Sequence, residues 1–226
     1  MTFLSYIWPR LVLSTTTEFN HDIRVIEESG EAKLLVDGSR QSGAYIRRLW
    51  EGAFTKFHID RTVAVGKILV LGTAGGSVIH ILRNLFADSP ITAVDIDPVM
   101  ITIGYEHFGL KELSDLTVVQ KEAREFIGET LSKKVHYDMI VVDLFSGRDI
   151  PSFVYSVKFL RQLAGVLSER GILVINYLRE RQYGEKSDVL FAALQTLFLS
   201  VSDHKAYRNR FFYARNRFGV IKYAHV

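Results

Sequence analysis

The 226-residue sequence contains no cysteine, and this absence excludes several kinds of chemistry. Disulfide bonds, thiolate metal sites and cysteine nucleophiles are all ruled out. A chain without cysteine suits a reducing compartment, so we expect a cytoplasmic protein. The seven histidines never occur at a His-x-x-x-His spacing, and we therefore expect no metal site.

The sequence also has no uninterrupted apolar run of about 18 residues, the length that spans a bilayer. The apolar stretch 3–13 is interrupted by Pro9 and Arg10 and lacks the features of a signal peptide. We expect an extended arm or first strand there, or a segment that lies on a hydrophobic partner. No membrane partner is expected.

The excess of basic over acidic residues is small. There are 28 Lys and Arg against 25 Asp and Glu, a net charge of +3, which does not predict a nucleic-acid partner. Arg208, Arg210, Arg215 and Arg217 nevertheless concentrate near the C-terminus with aromatic residues between them. A hairpin with one charged face explains this pattern, and a nucleic-acid-binding strip, as in a methyltransferase that acts on RNA, is the alternative.

The first 58 residues have the pattern of a small β-region followed by a helix. Short β-branched and apolar runs between residues 11 and 40 are separated by turns at 28–31 and 37–38. Apolar residues at helical spacing then predict an amphipathic helix over 43–58. We expect residues 1–58 to form an N-terminal β-hairpin domain with its connecting helix, and residues 59–226 to form a second domain.

From residue 67 onward, strand-like and helix-like segments alternate. Repeated β-α units predict an α/β fold, a doubly wound Rossmann-like and mostly parallel sheet with a ligand crevice at the carboxyl ends of its strands. The predicted strands are 68–71, 91–94, 116–119, 139–142 and 172–176; the predicted helices are 78–86, 98–108, 123–131, 154–167 and 188–199; a terminal hairpin is predicted over 205–223.

A glycine-rich turn follows the first of these strands. It consists of Gly72, Thr73, Ala74, Gly75, Gly76 and Ser77. Glycine allows a positive φ and lets a ligand approach the backbone closely. The turn matches neither a P-loop nor G-x-G-x-x-G, so a nucleoside without phosphates, such as S-adenosylmethionine, fits better than a nucleotide. Tight packing alone is the alternative.

Carboxylates follow the next three strands. Asp95, 19 residues after Gly76, is placed to accept hydrogen bonds from both ribose hydroxyls, unless it caps a helix, for which Asp97 is the better candidate. Glu122 can accept from an adenine amino group or be an ordinary first-turn carboxylate. Asp143 ends a wholly apolar strand, either over the crevice or in solvent. Together they predict an adenosine pocket with a reactive end beside Asp143.

These residues resemble the spermidine synthase (polyamine aminopropyltransferase) family, within the class I S-adenosylmethionine-dependent methyltransferase fold. The similarity runs from Phe19 to Asn176, with a weaker match beyond. It rests on the stretches 19–25, 36–41, 72–77, 95–97 and 153–163, together with Glu122 and Asp143.

The resemblance implies a transferase whose donor is S-adenosylmethionine or its decarboxylated form. It implies that Asp143 deprotonates an attacking small-molecule amine or polyamine, and that the protein is a homo-oligomer. The implied donor-binding residues are Gly72, Thr73, Ala74, Gly75, Gly76, Asp95, Ile96, Glu122 and Ala123. The implied acceptor-binding residues are Gln41, Trp50, Glu51 and Ser146.

Three positions depart from the family pattern. Gly75 replaces the acid that holds the aminopropyl ammonium, Ser146 replaces a second acid, and Trp50 replaces a tyrosine. Without an acid at position 75, the carboxylate of intact S-adenosylmethionine is no longer repelled. Aminopropyl transfer to an amine is the main hypothesis, because the family resemblance implies it, although the departures at Gly75 and Ser146 favour methyl transfer. Methyl transfer in the same pocket and a non-catalytic nucleoside-binding module are the alternatives, and the sequence does not determine the acceptor.

Overall fold

Two β-sheets organise the chain. The structure is a computed structural model that describes residues 8–61, 65–147, 149–180 and 182–216. The first sheet is antiparallel, with its four strands in sequence order: β1 (Arg10–Thr15), β2 (Ile23–Glu28), β3 (Glu31–Val36) and β4 (Ser39–Ser42). Two-residue turns with positive φ, Ser29-Gly30 and Asp37-Gly38, join its last three strands, as predicted. Residues 3–7 of the predicted arm lie outside the described residues.

Helix α1 (Ala44–Lys56) connects the two sheets. It buries Leu49, Trp50, Ala53 and Phe54, a stripe at helical spacing that packs against the second sheet. The predicted helix over 43–58 is therefore confirmed. The domain boundary expected after residue 58 stays a prediction.

The second sheet has seven strands in the order β10-β11-β9-β8-β5-β6-β7. The central strands pair in parallel and the hairpin β10–β11 pairs antiparallel at one edge. This arrangement confirms the doubly wound fold. The strands are β5 (Ile68–Leu71), β6 (Ile91–Asp95), β7 (Leu116–Gln120), β8 (Tyr137–Val142), β9 (Leu167–Leu178), β10 (Ser200–Ala206) and β11 (Asn209–Arg215).

Five further helices in the described part of the chain cover this sheet. Asp97 caps α3 by accepting from the backbone N–H of Val99, with Pro98 at the first helical position, as predicted. The helices are α2 (Ser77–Leu85), α3 (Pro98–His107), α4 (Ala123–Ser132), α5 (Val157–Val166) and α6 (Tyr183–Leu197). Among the described helices, none has both the length and the apolar character needed to cross a bilayer.

Three predicted boundaries before residue 200 were wrong. Helix α5 begins at Val157, because residues 152–155 form a 3₁₀ turn and Ser156 then caps the helix. Strand β9 begins at Leu167, and the turn predicted at 169–171 is an irregularity inside it, with Arg170 at φ 64°. Helix α6 begins five residues before the predicted start at 188.

The C-terminal hairpin begins at Ser200, five residues before the predicted start at 205, and turns at Tyr207-Arg208. Arg210 is only 6% exposed and donates to Asp188 and Asp203, so it does not belong to an exposed basic strip. Arg217 and the rest of the predicted hairpin to residue 223 lie outside the described residues.

The order of the parallel strands reverses at β5, because β6 and β7 follow on one side of it and β8 and β9 on the other. All four residues of β5 are fully buried, as expected for a strand covered on both faces. At such a switch point the loops after adjacent strands diverge and leave a crevice at their carboxyl ends. The candidate site lies at this position.

Candidate functional site

The carboxyl ends of β5, β6 and β8 enclose a cavity of about 270 Å³, here called the strand-end cavity. Its walls combine apolar side chains, among them Met100, Leu144 and Phe153, with carboxylates. Nine residues predicted from the sequence line it: Gln41, Gly72, Ala74, Asp95, Ile96, Glu122, Ala123, Asp143 and Ser146. Five other predicted residues do not: Trp50, Glu51, Thr73, Gly75 and Gly76.

Asp95 ends β6 and holds the glycine turn in place. One carboxylate oxygen, Oδ2, accepts from both the backbone N–H and the hydroxyl of Thr73, each at 2.8 Å. The other, Oδ1, accepts from the backbone N–H of Asp97 at 3.0 Å. Thr73 thus supports Asp95 and does not line the cavity. Asp95 itself faces the cavity, where a ribose acceptor was predicted.

Gly72 is the glycine that the close packing requires. Its φ is 93°, and a Cβ at this position would lie 2.2 Å from the carbonyl oxygen of Asp143. Any side chain would therefore push β5 and β8 apart at their carboxyl ends. The absence of a side chain keeps Asp143 beside the glycine turn.

Gly75 packs against the N-terminal sheet and does not line the strand-end cavity, and its contact with the donor stays a prediction. Its backbone N–H donates to the Ser42 hydroxyl oxygen at 2.8 Å. A Cβ on Gly75 would lie 2.5 Å from Ser42 Oγ and 3.0 Å from a ring carbon of Phe108. Gly76 caps α2 and packs against Leu110, and it does not line the cavity either.

Glu122 caps helix α4. Its carboxylate accepts from the backbone N–H groups of Arg124 and Glu125 at 2.7 and 3.1 Å, and pairs with the Arg124 guanidinium at 2.8 Å. Glu122 therefore has the helix-terminal role that was the alternative prediction for it. The contact with an adenine amino group stays a prediction, as do those of Ile96 and Ala123 on the same wall.

Asp143 follows β8 and lines two cavities. Its Oδ1 accepts from Asn176 Nδ2 at 2.8 Å, and its Oδ2 accepts from the Trp50 indole N–H at 3.3 Å. Burial raises the pKa of Asp143 from 3.8 to about 6, although both hydrogen bonds act to lower it. Such a carboxylate is ionised at neutral pH and still able to accept a proton.

Trp50 and Glu51 line neither of the cavities beside Asp143, and their assignment as acceptor-binding residues stays a prediction. Trp50 is fully buried, and its ring packs at an angle against Phe54 and Phe211. Trp50 therefore contacts Asp143 from the buried core and not from either cavity. Glu51 is exposed on α1 and lines neither cavity next to Asp143.

Gln41 and Ser146 connect the N-terminal sheet to the loop after β8. The amide of Gln41 donates to the Gly147 carbonyl at 2.9 Å, and the Ser146 hydroxyl donates to the Phe19 carbonyl at 3.3 Å. Asn20, which was not predicted, accepts from the Gly147 N–H and donates to Asp97. These contacts close one wall of the strand-end cavity.

A second cavity of about 570 Å³, the hairpin cavity, lies on the other side of Asp143. Asp143, Gln41 and Phe145 line both cavities. The other residues that line the hairpin cavity include Arg40, Tyr45, Asp149, Asn176, Glu180, Tyr183, Arg208 and Asn209. Glu180 pairs with Arg208 at 2.6 Å, and the Tyr183 hydroxyl donates to Asp149.

Asn176 is a further site residue that sequence analysis missed, because it donates to Asp143 and lines the hairpin cavity. It ends the apolar run 172–175 of β9 just as Asp143 ends that of β8, and the two strands are parallel neighbours. A polar residue at the same level of the next strand was a signal for the site. Among the described residues, no group of three His, Asp or Glu could hold a metal ion.

Comparison with known proteins agrees with this geometry. Residues 64–216 match the family described as "Methyltransferase domain". The chain belongs to this family. The match covers the whole seven-stranded sheet and its switch point. The match to a methyltransferase domain supports the S-adenosylmethionine-type cofactor predicted for this chain.

Individual relatives fall into two groups. A polyamine aminopropyltransferase from Vibrio vulnificus is 34% identical over 110 residues, 49% of this chain and 37% of that protein. An eEF1A lysine and N-terminal methyltransferase from Bos taurus is 30% identical over 140 residues, 58% of this chain and 20% of that protein. The chain thus matches well under half the length of these relatives.

The N-terminal sheet also has a counterpart among solved structures. A spermidine synthase in complex with the transition-state analogue AdoDATO aligns with a TM-score of 0.70 and 14% identity, over 94% of this chain and 76% of that chain. The sequence resemblance to the spermidine synthase family and the class I methyltransferase fold is confirmed by these comparisons.

Proposed function

We propose that this protein transfers an alkyl group from an S-adenosylmethionine-type donor to an amine, with Asp143 as the general base. The observation that carries the proposal is the position of Asp143 on the shared wall of two cavities. A donor in the strand-end cavity and an acceptor in the hairpin cavity would meet at this carboxylate. No other described carboxylate lines both cavities.

The strand-end cavity suits an adenosine. Asp95 has a carboxylate on the cavity wall for the ribose hydroxyls, and Ile96, Leu144 and Phe153 supply apolar surface for the adenine ring. Glu122 and Ala123 lie at the carboxyl end of β7 on the same wall. We assign the donor to this cavity on the combination of one ribose acceptor with an apolar slot.

The reaction needs a base but no acid. The amine nitrogen attacks the carbon bonded to the sulfonium, the carbon–sulfur bond breaks, and a neutral thioether leaves. An alkylammonium with a pKa of about 10.4 is mostly protonated at pH 7, so its proton must be removed. Asp143, with its pKa raised to about 6, is mostly ionised at pH 7 and takes that proton when the amine lies within hydrogen-bond distance.

Aminopropyl transfer to a small-molecule amine or polyamine is the first candidate. The aminopropyltransferase similarity supports it, and so does the N-terminal sheet, which contributes Gln41 to both cavities. The acceptor would then be a small amine that enters through the hairpin cavity, between Tyr45 and Tyr183.

Methyl transfer from intact S-adenosylmethionine is the second candidate, and one observation favours it. The position of the family acid that selects the decarboxylated donor is occupied by Gly75, packed against Ser42. The described structure thus has no carboxylate at that position to repel the donor's own carboxylate. The methyltransferase relatives act on lysine and N-terminal amines by name, so an amine acceptor suits both candidates.

We also propose a cytoplasmic location and a homo-oligomer. The lack of cysteine supports the first. Strand β1 is an edge strand that exposes Leu11 to 56%, and Trp8 just before it is 75% exposed, which supports pairing with a second copy.

One incubation experiment separates the candidates. The protein is incubated with S-adenosylmethionine or with its decarboxylated form, together with a set of amines, and the nucleoside product is identified by mass spectrometry. Methylthioadenosine indicates aminopropyl transfer and S-adenosylhomocysteine indicates methyl transfer. If neither product forms although the nucleoside binds, the protein is a binding module and the proposal is wrong.

A further inference from the structure

Three side chains from three strands form a hydrogen-bonded chain that ends at Asp143. Asn209 Nδ2 donates to Asn176 Oδ1 at 2.8 Å, and Asn176 Nδ2 donates to Asp143 Oδ1 at 2.8 Å. Asn176 is 6% exposed, and Asn209 lies on the wall of the hairpin cavity. These two hydrogen bonds connect the C-terminal hairpin, through β9, to the residue that follows β8.

Strand register brings the two asparagines together. In the antiparallel pair β9–β11, Asn176 is opposite Phe211 and Leu178 is opposite Asn209. Asn176 and Asn209 are thus diagonal neighbours on one face of the sheet, within reach of each other's side chains. A slip of one residue would turn Asn209 to the other face, so the register of the hairpin determines the contact.

The two hydrogen bonds select a single orientation of the Asn176 amide. An amide has a donor end and an acceptor end. In the observed orientation the donor end meets the carboxylate of Asp143 and the acceptor end meets the NH₂ group of Asn209. A flipped amide would place its oxygen against the carboxylate and its NH₂ against another NH₂, so both contacts would become repulsive.

We propose that Asn209 is a positioning residue: through Asn176 it holds the Asp143 carboxylate in its orientation between the two cavities. The inference rests on the proposed function only in taking Asp143 as the base. Both donors to Asp143, Asn176 and Trp50, are neutral, so they orient the carboxylate without neutralising it as an ion pair would.

Several charged groups line the two cavities next to Asp143, but none of them makes the hydrogen bonds of Asn176 and Asn209. On the strand-end side they are Asp95, Asp97, Lys121, Glu122 and Arg124. On the hairpin side they are Arg40, Asp149, Glu180 and Arg208, with the titratable Tyr45 and Tyr183. None of them is changed by a neutral substitution at position 209. An effect of such a substitution on Asp143 therefore comes through Asn176 or through packing.

The first test compares Asn209→Ala and the similarly sized Asn209→Leu with the unmodified protein. Each variant removes the donor to Asn176, which can then turn away from Asp143. Because a hydrogen bond to the ionised form lowers a pKa, we expect the pKa of Asp143 to rise. The acidic limb of kcat/KM should move to higher pH, with kcat/KM at pH 6 lowered roughly three- to tenfold.

A direct titration makes the test independent of turnover. The side-chain carboxyl carbon of Asp143 is followed by NMR against pH in the protein without donor or acceptor. The Asp143 titration should move upward in both variants even if the proposed reaction proves wrong. Ser202→Ala, an exposed neutral change on β10 of the same hairpin, should leave the titration in place.

A double-mutant cycle with Asn176→Ala separates an effect that Asn209 transmits through Asn176 from a general packing effect. If Asn209 acts through Asn176, Asn209→Ala has no further effect on the Asp143 titration once Asn176 is alanine. The proposal is overturned if both Asn209 variants titrate like the unmodified protein. It is equally overturned if their effect is undiminished in the Asn176→Ala background.

Discussion

Trp50 donates its indole N–H to Oδ2 of Asp143 across 3.3 Å, although the two residues are 93 positions apart. The indole is fully buried and held by Phe54 and Phe211. The N-terminal helix and the C-terminal hairpin thus meet behind the same carboxylate. Asp143 is fixed from one side by Trp50 and from the other by Asn176, which leaves its remaining lone pairs available to the cavities.

Asp143→Asn should abolish turnover and preserve donor binding. The amide keeps the shape of the side chain but cannot accept a proton at neutral pH, and general-base catalysis contributes about 10²- to 10⁴-fold. We expect kcat to fall by roughly that factor while the affinity for S-adenosylhomocysteine, measured by calorimetry, changes little. Asp60→Asn, an exposed carboxylate away from both cavities, is the control. Normal turnover of Asp143→Asn would remove Asp143 as the base.

The same carboxylate should make stability depend on pH. Its pKa is raised from 3.8 to about 6 in the folded protein, so the folded state holds the proton more tightly than the unfolded chain. The favourable contribution is complete below pH 3.8 and is lost as the pH rises through about 6, a change of about 3 kcal/mol.

Denaturant unfolding at pH 3.5 to 7.5, on the unmodified protein and on Asp143→Asn, measures this effect as a difference. We expect the free energy of unfolding of Asp143→Asn, relative to the unmodified protein, to rise by on the order of 2–3 kcal/mol between these pH values. A difference that stays constant with pH would mean that Asp143 titrates normally.

Gly75→Asp by itself should destabilise the protein, because its Cβ would lie 2.5 Å from Ser42 Oγ and 2.6 Å from Ser42 Cβ. Ser42→Gly removes both atoms, so the double variant should recover most of the lost melting temperature. In that background the added carboxylate should favour the decarboxylated donor over S-adenosylmethionine. Calorimetry with both donors measures the ratio of affinities, and an unchanged ratio would contradict donor selection at position 75.

Asp95→Ala should abolish measurable binding of S-adenosylhomocysteine. The change removes the predicted ribose acceptor and the partner of the Thr73 hydroxyl and backbone N–H. Thr73→Val separates these roles, since it removes only the hydroxyl donor. We expect Thr73→Val to bind within roughly tenfold of the unmodified protein, the equivalent of one hydrogen bond. If Asp95→Ala binds as well as Thr73→Val, the ribose contact is absent.

The sequence by itself determined the helices and strands of the fold and the edge of the sheet at which the site lies. Unbroken apolar runs such as 68–71 and 139–142 mark strands buried on both faces, and parallel strands bring their carboxyl ends to one edge. Asp95 and Asp143 were predicted at the cavity for this reason. These inferences depend on local periodicity and chain order, which one sequence contains in full.

Only the tertiary structure decided which way each neighbouring side chain faces. Gly75 turns toward Ser42, Trp50 lies behind Asp143, and Glu122 is engaged as a helix cap. Asn209 reaches the site because the register of β9 and β11 makes it a diagonal neighbour of Asn176. Contacts between residues that are distant in sequence depend on how sheets and helices pack, and no local pattern specifies that packing.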